Sequence, residues 1–297
     1  MSKPKALIAW SSGKDSAWAL HEVRRAGEYD VVGALTTVTE TFQRVSMHGV
    51  REEILHAQHE AIGLPSVIVP IPYPCPNEIY EARMAAALDA AKRQGVTHVI
   101  FGDLFLEDVR AYREQKLAGT GIAPLFPLWQ RPTDALARDM IAAGVETYLV
   151  CVDLKQLPKS FAGRRFDNSL LAELPTSADP CGEKGEFHSC VVAGPMLSRR
   201  IDVTVGETIE RDGFAYTDLL IPPPLAGEGG RAQHGRVGAF DEIAPPVCSL
   251  RSQPPSPFRG GISRAAPHPS ALTPRRRSSF PSRRSPRRSS SSRAAAR

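Results

Sequence analysis

Apolar positions in the first half of the chain fall into short continuous runs separated by longer stretches of helical period. Residues 5–10 form a short apolar run that predicts a first strand. Residues 15–26, with Trp18, Ala19, Leu20 and Val23, predict a helix closed by Gly27. Residues 31–38 predict a second buried strand, and residues 50–62 a helix ending at Gly63. Residues 66–71 predict a third strand, stopped by the proline-rich stretch from Pro70 to Pro76. An alanine-rich helix is expected over 77–93, with Gly95 after it, then a fourth strand over 98–102 and a helix over 106–117. Strands separated by helices of this length imply βαβ units and a parallel sheet.

Residues 125–129 and 133–143 continue that rhythm, and 145–152 is another β-rich run. Beyond it the pattern changes. Residues 154–188 read as loop, with one helix expected near 168–174. Residues 190–195, 201–205 and 214–220 predict strands of a small antiparallel unit, with turns at Gly206 and at Asp212-Gly213. The expected fold class is therefore α/β, a parallel sheet with flanking helices plus a smaller α+β C-terminal region. The expected boundaries are 1–130, 131–222 and 223–297.

Half of the 26 prolines lie in 222–297, among arginine and serine runs. So few apolar residues cannot offset ordering entropy, and a disordered basic tail is expected. It reads either as a basic arm for an acidic partner or as an accidental extension, such as translation past the natural stop. Its absence of lysine and abrupt loss of periodicity favour the extension.

Charge reinforces this division. The chain carries a formal net charge of +5, yet its last 76 residues hold 14 arginines against Glu228, Asp241 and Glu242. The remainder is mildly acidic, which argues against a nucleic-acid partner. Hydrophobic residues make up 42% of the chain, and no apolar run approaches the roughly 20 residues needed to span a bilayer. A cytoplasmic protein without membrane contact is expected. Five cysteines, odd in number and without a CxxC pair, suggest free thiols in a reducing compartment.

The chemistry-bearing segment is Ser11-Ser12-Gly13-Lys14-Asp15-Ser16, between the first strand and the first helix. Small residues let backbone approach a ligand, and a helix N-terminus offers unpaired N–H groups and partial positive charge. Phosphate or pyrophosphate is the natural occupant, with Lys14 adding a full charge. A Walker A loop would need Gly at position 8 and Ser or Thr at position 15, where this chain has Ile8 and Asp15. An acidic residue beside the lysine makes sense if Mg²⁺ accompanies the nucleotide. The plainer reading is a polar turn that caps a helix.

Residues 11–16 resemble the SGGKDS loop of the PP-loop, adenine nucleotide α-hydrolase-like superfamily, with Ser12 in place of the first family glycine. Four further segments resemble elements of its diphthine–ammonia ligase-like branch. They are Ser46-Met47-His48-Gly49; Gly102-Asp103 followed by Arg110; Gly121 with Pro127-Leu128-Trp129; and the run from Asp179-Pro180-Cys181-Gly182-Glu183 to Gly185-Glu186-Phe187-His188-Ser189. In the last, Lys184 stands where Asn is usual and Ser189 where Thr is usual. The resemblance covers residues 5 to about 222 and implies a Rossmann-like (HUP-type) sheet with ATP at the carboxyl ends of its strands.

The resemblance also implies roles. Ser11, Ser12, Gly13 and Ser16 would hold the leaving pyrophosphate, Lys14 would balance its charge, and Asp15 would help to hold Mg²⁺. His48 and Gly102 join the nucleotide contacts. Lys14, Asp15, Asp103, Glu183 and Glu186 are the expected catalytic set, adenylating a carboxylate that ammonia then converts to an amide. The acceptor would sit on elongation factor 2 in an archaeal or eukaryotic source and would be another carboxylate in a bacterium.

Plainer roles stay open on the residues alone. Asp103 could cap the following helix, and Arg110 could pair with Glu107 or Glu114 on it. His48 could be structural, and Glu183 and Glu186 could be turn acids rather than ligands of ammonium, a cationic substrate or a second metal. Cys181 and Cys190 read as buried thiols. Two other functions compete, a tRNA-modifying PP-loop enzyme and a non-catalytic adenine-nucleotide binder.

Overall fold

The computed structural model describes residues 2–223; the predicted basic tail lies, from residue 224 onward, outside the described residues. The first half follows the predicted alternation. Its elements are β1 (Lys5–Ala9), α1 (Lys14–Ala26), β2 (Asp30–Thr39), β3 (Arg44–Val45), α2 (Glu52–Ile62), β4 (Ser66–Ile71), α3 (Asn77–Arg93), β5 (Val96–Ile100), α4 (Glu107–Leu117) and β6 (Ala123–Leu125). Gly27 and Gly63 close α1 and α2 in the left-handed conformation, with φ of 68° and 66°. Glycine reaches that region without a Cβ clash, so both helices end where the sequence placed them.

β4, β2, β1, β5 and β6 lie side by side in that order, all parallel, while β3 pairs antiparallel with the carboxyl end of β2. Alternate side chains of a strand leave on opposite faces. Ala6 and Ile8 of β1 accordingly join an apolar cluster with α1 and α2, while Leu7 joins another with Val99, Phe101 and Leu117 on the far face. Covering both faces is what buries a parallel sheet.

Next come α5 (Thr133–Ala142), β7 (Glu146–Asp153), α6 (Asn168–Glu173), β8 (Phe187–Ala193), β9 (Thr204–Arg211) and β10 (Phe214–Leu220). The four strands make an antiparallel sheet ordered β8-β7-β10-β9. The α1 side of the parallel sheet shares one buried cluster with it, including Trp18, Leu136, Leu149, Phe187 and Val191. No helix among the described residues is long and apolar enough to cross a membrane.

The structure revises four predicted elements. β5 covers Val96–Ile100, so Phe101, Gly102 and Asp103 lie in the loop beyond it. Residues 126–129 turn back rather than extend, with the Trp129 amide donating to the Phe126 carbonyl at 3.1 Å. β8 begins at Phe187, three residues earlier than expected, because the glycine-punctuated loop runs straight into it. Gly206 makes no turn and lies inside β9, where an added Cβ would come within 3.4 Å of the Asp218 Cβ on β10. The turn at Asp212-Gly213 does form, with φ of 51° and 84° at the two residues. Both are positive, as the type I′ turn of a two-residue hairpin requires.

Candidate active site

A pocket opens at the carboxyl ends of β1 and β5, where the chain returns along β2 on one side of β1 and β5 lies on the other. In open α/β sheets, ligands bind at this reversal. Ser11, Lys14, Asp15 and Ser16 line it from the loop after β1, and Gly102 and Asp103 from the loop after β5. His48, Arg113, His188 and Ser189 complete the wall. Loop geometry brings together most of the residues singled out from sequence, from segments up to 175 positions apart.

The loop is held by its own hydroxyls. The Ser11 Oγ and Ser16 Oγ are 3.2 Å apart, and the Ser16 Oγ donates to the Gly13 carbonyl at 3.0 Å. Gly13 caps α1 with no side-chain partner. A Cβ on Gly13 would stand 2.9 Å from the His48 Cε1 and 3.3 Å from the Ser189 carbonyl. A Cβ on Gly102 would stand 2.7 Å from the Asp15 carbonyl carbon and 2.8 Å from the Ser16 amide nitrogen. Both glycines therefore allow close backbone approach at the start of α1.

Ser12 is placed differently from Ser11. It is fully buried beneath the loop, off the pocket wall, in the left-handed region with φ of 68°. Its carbonyl accepts from the Val191 amide at 2.9 Å and the Gln58 Nε2 at 3.2 Å. Gln58, itself fully buried, also donates to the Val191 carbonyl and accepts from the Trp10 Nε1 at 3.0 Å. One amide side chain from α2 thus fastens the loop to β8. Nothing in the sequence marked it.

Lys14 is almost completely buried. Its Nζ donates to both Asp15 carboxylate oxygens at 2.9 Å and to the Cys181 carbonyl, between the Phe166 and Phe187 rings at 5.6 and 5.5 Å. Burial opposes its charge, but chiefly Asp15, with a smaller contribution from Glu183, outweighs it, and the Lys14 pKa lies above its ordinary value. The backbone amide of Lys14 donates to the Ser189 Oγ at 3.2 Å. The loop lysine is thereby tied to both ends of the 179–189 segment.

The His48 and His188 rings lie with centroids 4.7 Å apart, tilted by 34°. The His48 Nδ1 lies 3.0 Å from the Ser189 carbonyl, which can only accept, so Nδ1 carries the proton. The loop bearing His48 is pinned by Arg44, which donates to the Gly49 carbonyl at 2.8 Å and to the buried Asp218 of β10 at 2.9 Å. Arg51 donates to the same carboxylate.

Residues 4–122 match the family model of the diphthamide synthase N-terminal domain, and residues 132–218 that of the diphthamide synthase C-terminal domain. The chain belongs to the diphthine–ammonia ligase-like PP-loop family. Diphthine–ammonia ligase of Schizosaccharomyces pombe is 33% identical over 95 residues, 30% of this chain and 16% of that protein. The rat enzyme of that name is 25% identical over 133 residues, 43% of this chain and 50% of the relative. The Bos taurus enzyme is 23% identical over 238 residues, 72% of this chain and 87% of the relative. The chain thus spans half or less of the first two of these relatives.

Within the family's characteristic segments the structure separates wall from frame. Glu183 and Glu186 do not line the pocket. The Glu183 Oε1 accepts from the Leu104 amide at 3.0 Å, and the Glu186 Oε1 from the Asp179 amide at 2.7 Å. Asp179 in turn accepts from the Cys181 amide at 2.9 Å, the Glu183 amide at 3.2 Å and the Thr133 hydroxyl at 2.6 Å. These buried acids shape the 179–187 loop and bind it to the segment after β5. Burial pushes the Cys181 thiol up despite nearby Lys14, and the Cys190 thiol up to about 12, so both stay protonated near neutrality.

Asp103 does not cap α4. Its carboxylate takes a two-pronged pair from Arg113, at 2.5 Å from Nε and 3.1 Å from Nη2. Burial opposes the Arg113 charge, yet Asp103 outweighs it and raises the pKa. Arg110, the arginine singled out from sequence, instead pairs with Glu114 at 2.7 Å and lies over Phe126 and Trp129. Arg113 stands one helical turn further on, and only the packing of α4 against the β5 loop decides which of the two faces the pocket.

Proposed function

We propose that this protein is an ATP-dependent ligase that adenylates a substrate carboxylate and transfers the acyl group to ammonia. The observation that carries the reading is the convergence of the Ser11–Ser16 loop, Asp103–Arg113 and the His48–His188 pair on one pocket at the start of α1. A helix N-terminus, hydroxyls and an arginine suit a polyphosphate that gains charge on departure. In the first step a carboxylate oxygen bonds to the α-phosphorus as the bond to pyrophosphate breaks, pyrophosphate leaving with the electron pair. In the second, ammonia attacks the acyl carbon, loses a proton and expels AMP.

Ser11, Gly13 and Ser16 would face the departing phosphates, with Arg113 beside them. Lys14 would act mainly by holding Asp15 and the Cys181 loop in place. Among the described residues no cluster of three or more His, Cys, Asp or Glu could hold a metal alone. Asp15 nonetheless keeps about a fifth of its side chain exposed beside the pocket. That fits Mg²⁺ carried by the nucleotide, which characteristically takes one or two carboxylates plus phosphate oxygens. Such an ion would neutralise phosphate charge. Residues 1–130 would hold the nucleotide, and 131–222 would close the pocket through Phe187, His188 and Ser189, in the cytoplasm. The relatives' name points to diphthine and ammonia as substrates, with elongation factor 2 as carrier in an archaeal or eukaryotic cell.

The test is incubation of the full chain with Mg²⁺, ammonium and ATP labelled at the α-phosphate, with candidate carboxylates, beside Asp15→Asn. AMP and pyrophosphate, diminished in the variant, are expected. ADP formation, or ATP binding without turnover under every acceptor, overturns the ligase reading in favour of a phosphotransferase or a nucleotide sensor.

A further inference from the structure

A second cavity, of about 220 Å³, lies between α3 and α4. Met84 and Leu88 of α3, Leu117 of α4 and Ile122 make most of its lining surface apolar, while Glu81, ion-paired with Lys116, and Asp89 also line it. Phe101 and Arg113 line this cavity and the phosphate-side pocket alike. The Arg113 guanidinium lies 4.3 Å from the Phe101 ring centroid and is steered by the Asp103 carboxylate. A fixed cation thus stands in the wall between an apolar chamber and the loop Ser11–Ser16.

That arrangement has a chemical meaning. A chamber whose surface is mostly apolar favours a ligand with an apolar body over a triphosphate or ammonia, which need polar partners on every side. An acid with an apolar body gains by burying that body there, while the guanidinium edge that Asp103 does not engage can donate to its carboxylate. An acid so held presents its carboxylate at the wall next to the phosphate loop, where adenylation requires it. We propose that the α3/α4 cavity is the acceptor subsite, taking a carboxylic acid with an aromatic or alkyl body whose carboxylate pairs with Arg113. This inference rests on the ligase reading and specifies its substrate class.

The probes are 3-phenylpropionate and hexanoate, with acetate and 3-phenylpropionamide as controls for the body and the charge. Binding to the full chain is followed by calorimetry, and ATP binding is measured separately. Both acids are expected to bind at least about tenfold more tightly than either control, since even one methylene in an apolar pocket is worth about 10–200-fold and the amide lacks the charge that pairs with Arg113. Leu88→Trp, which fills the chamber, is expected to weaken both acids by at least about tenfold without changing ATP affinity. Leu88→Ala is expected to shift preference towards octanoate, and thermal unfolding of both variants confirms that they are folded.

The inference is overturned if no acid binds, or if Leu88→Trp leaves acid binding unchanged. It is overturned equally if that variant weakens ATP as much as the acids, which would make the chamber a nucleotide-base site. Failure of the two readings is distinguishable. Acids that bind as expected with no AMP or pyrophosphate from MgATP and ammonium preserve the subsite and remove the ligase. AMP and pyrophosphate formed with another acceptor, undiminished in Leu88→Trp, do the reverse.

Discussion

Ser12 combines two unfavourable features at one buried position. Its φ of 68° places a side-chain-bearing residue in the left-handed region, which costs roughly 1–2 kcal/mol. Its Oγ is buried without a hydrogen-bond partner, which costs about 1–3 kcal/mol. Ser12→Gly removes both, against about 0.5–1 kcal/mol for the extra freedom glycine gains in the unfolded chain. The expected net effect is a stabilisation of about 1–4 kcal/mol. Ser12→Ala removes only the hydroxyl and keeps the backbone cost, so the difference between the variants isolates the conformational part. Urea unfolding followed by far-ultraviolet circular dichroism gives both differences. ATP affinity is expected to stay within about twofold, because Ser12 lies beneath the loop rather than on the pocket wall. If Ser12→Gly is no more stable than wild type, the left-handed conformation is not costing what its angle implies, and this reasoning is refuted.

Gly102→Ala drives a Cβ to within 2.8 Å of backbone in the first turn of α1, so a loss of about 1–3 kcal/mol is expected in unfolding, with weakened ATP binding. A variant of normal stability and affinity would show that the two loops do not meet. Asp218→Ala leaves Arg44 and Arg51 without their shared buried carboxylate and should cost about 3–5 kcal/mol; a loss under 1 kcal/mol in chemical denaturation would contradict the buried triad. Burial, with a smaller contribution from His56, depresses His59 to about 4. The unfolded chain then takes up this proton first as pH falls. Stability should be full above about pH 6.5 and decline towards pH 4 by up to about 3 kcal/mol. His59→Gln, compared across that range, should show a shallower slope, and an identical slope would assign the loss to other groups.

The strand and helix alternation, the closure of α1 and α2 by Gly27 and Gly63, and the Asp212-Gly213 hairpin were legible in the sequence. Each rests on neighbours within a few residues. Side-chain period sets which face is buried, and positive φ favours glycine locally. The loop Ser11–Ser16 was legible for the same reason, since a strand, a small-residue turn and a helix start are contiguous. Residues whose role depends on a distant partner were not. Arg110 and Arg113 are alike as residues of one helix, and only the position of Asp103 after β5 separates them. Gln58 is an ordinary helical polar residue until Trp10, Ser12 and Val191 surround it. Glu183 meets the Leu104 amide 79 positions away, which turns an acid that reads as a ligand into part of a frame. Gly206 looked like a turn, but it lies inside β9, at a register shift in the pairing with β10. Local backbone preferences are properties of short segments, whereas burial and hydrogen-bond partners exist only once β1, β5 and β8 have been packed together. Tertiary structure therefore decided which charged side chains reach the pocket and which ones hold it in shape.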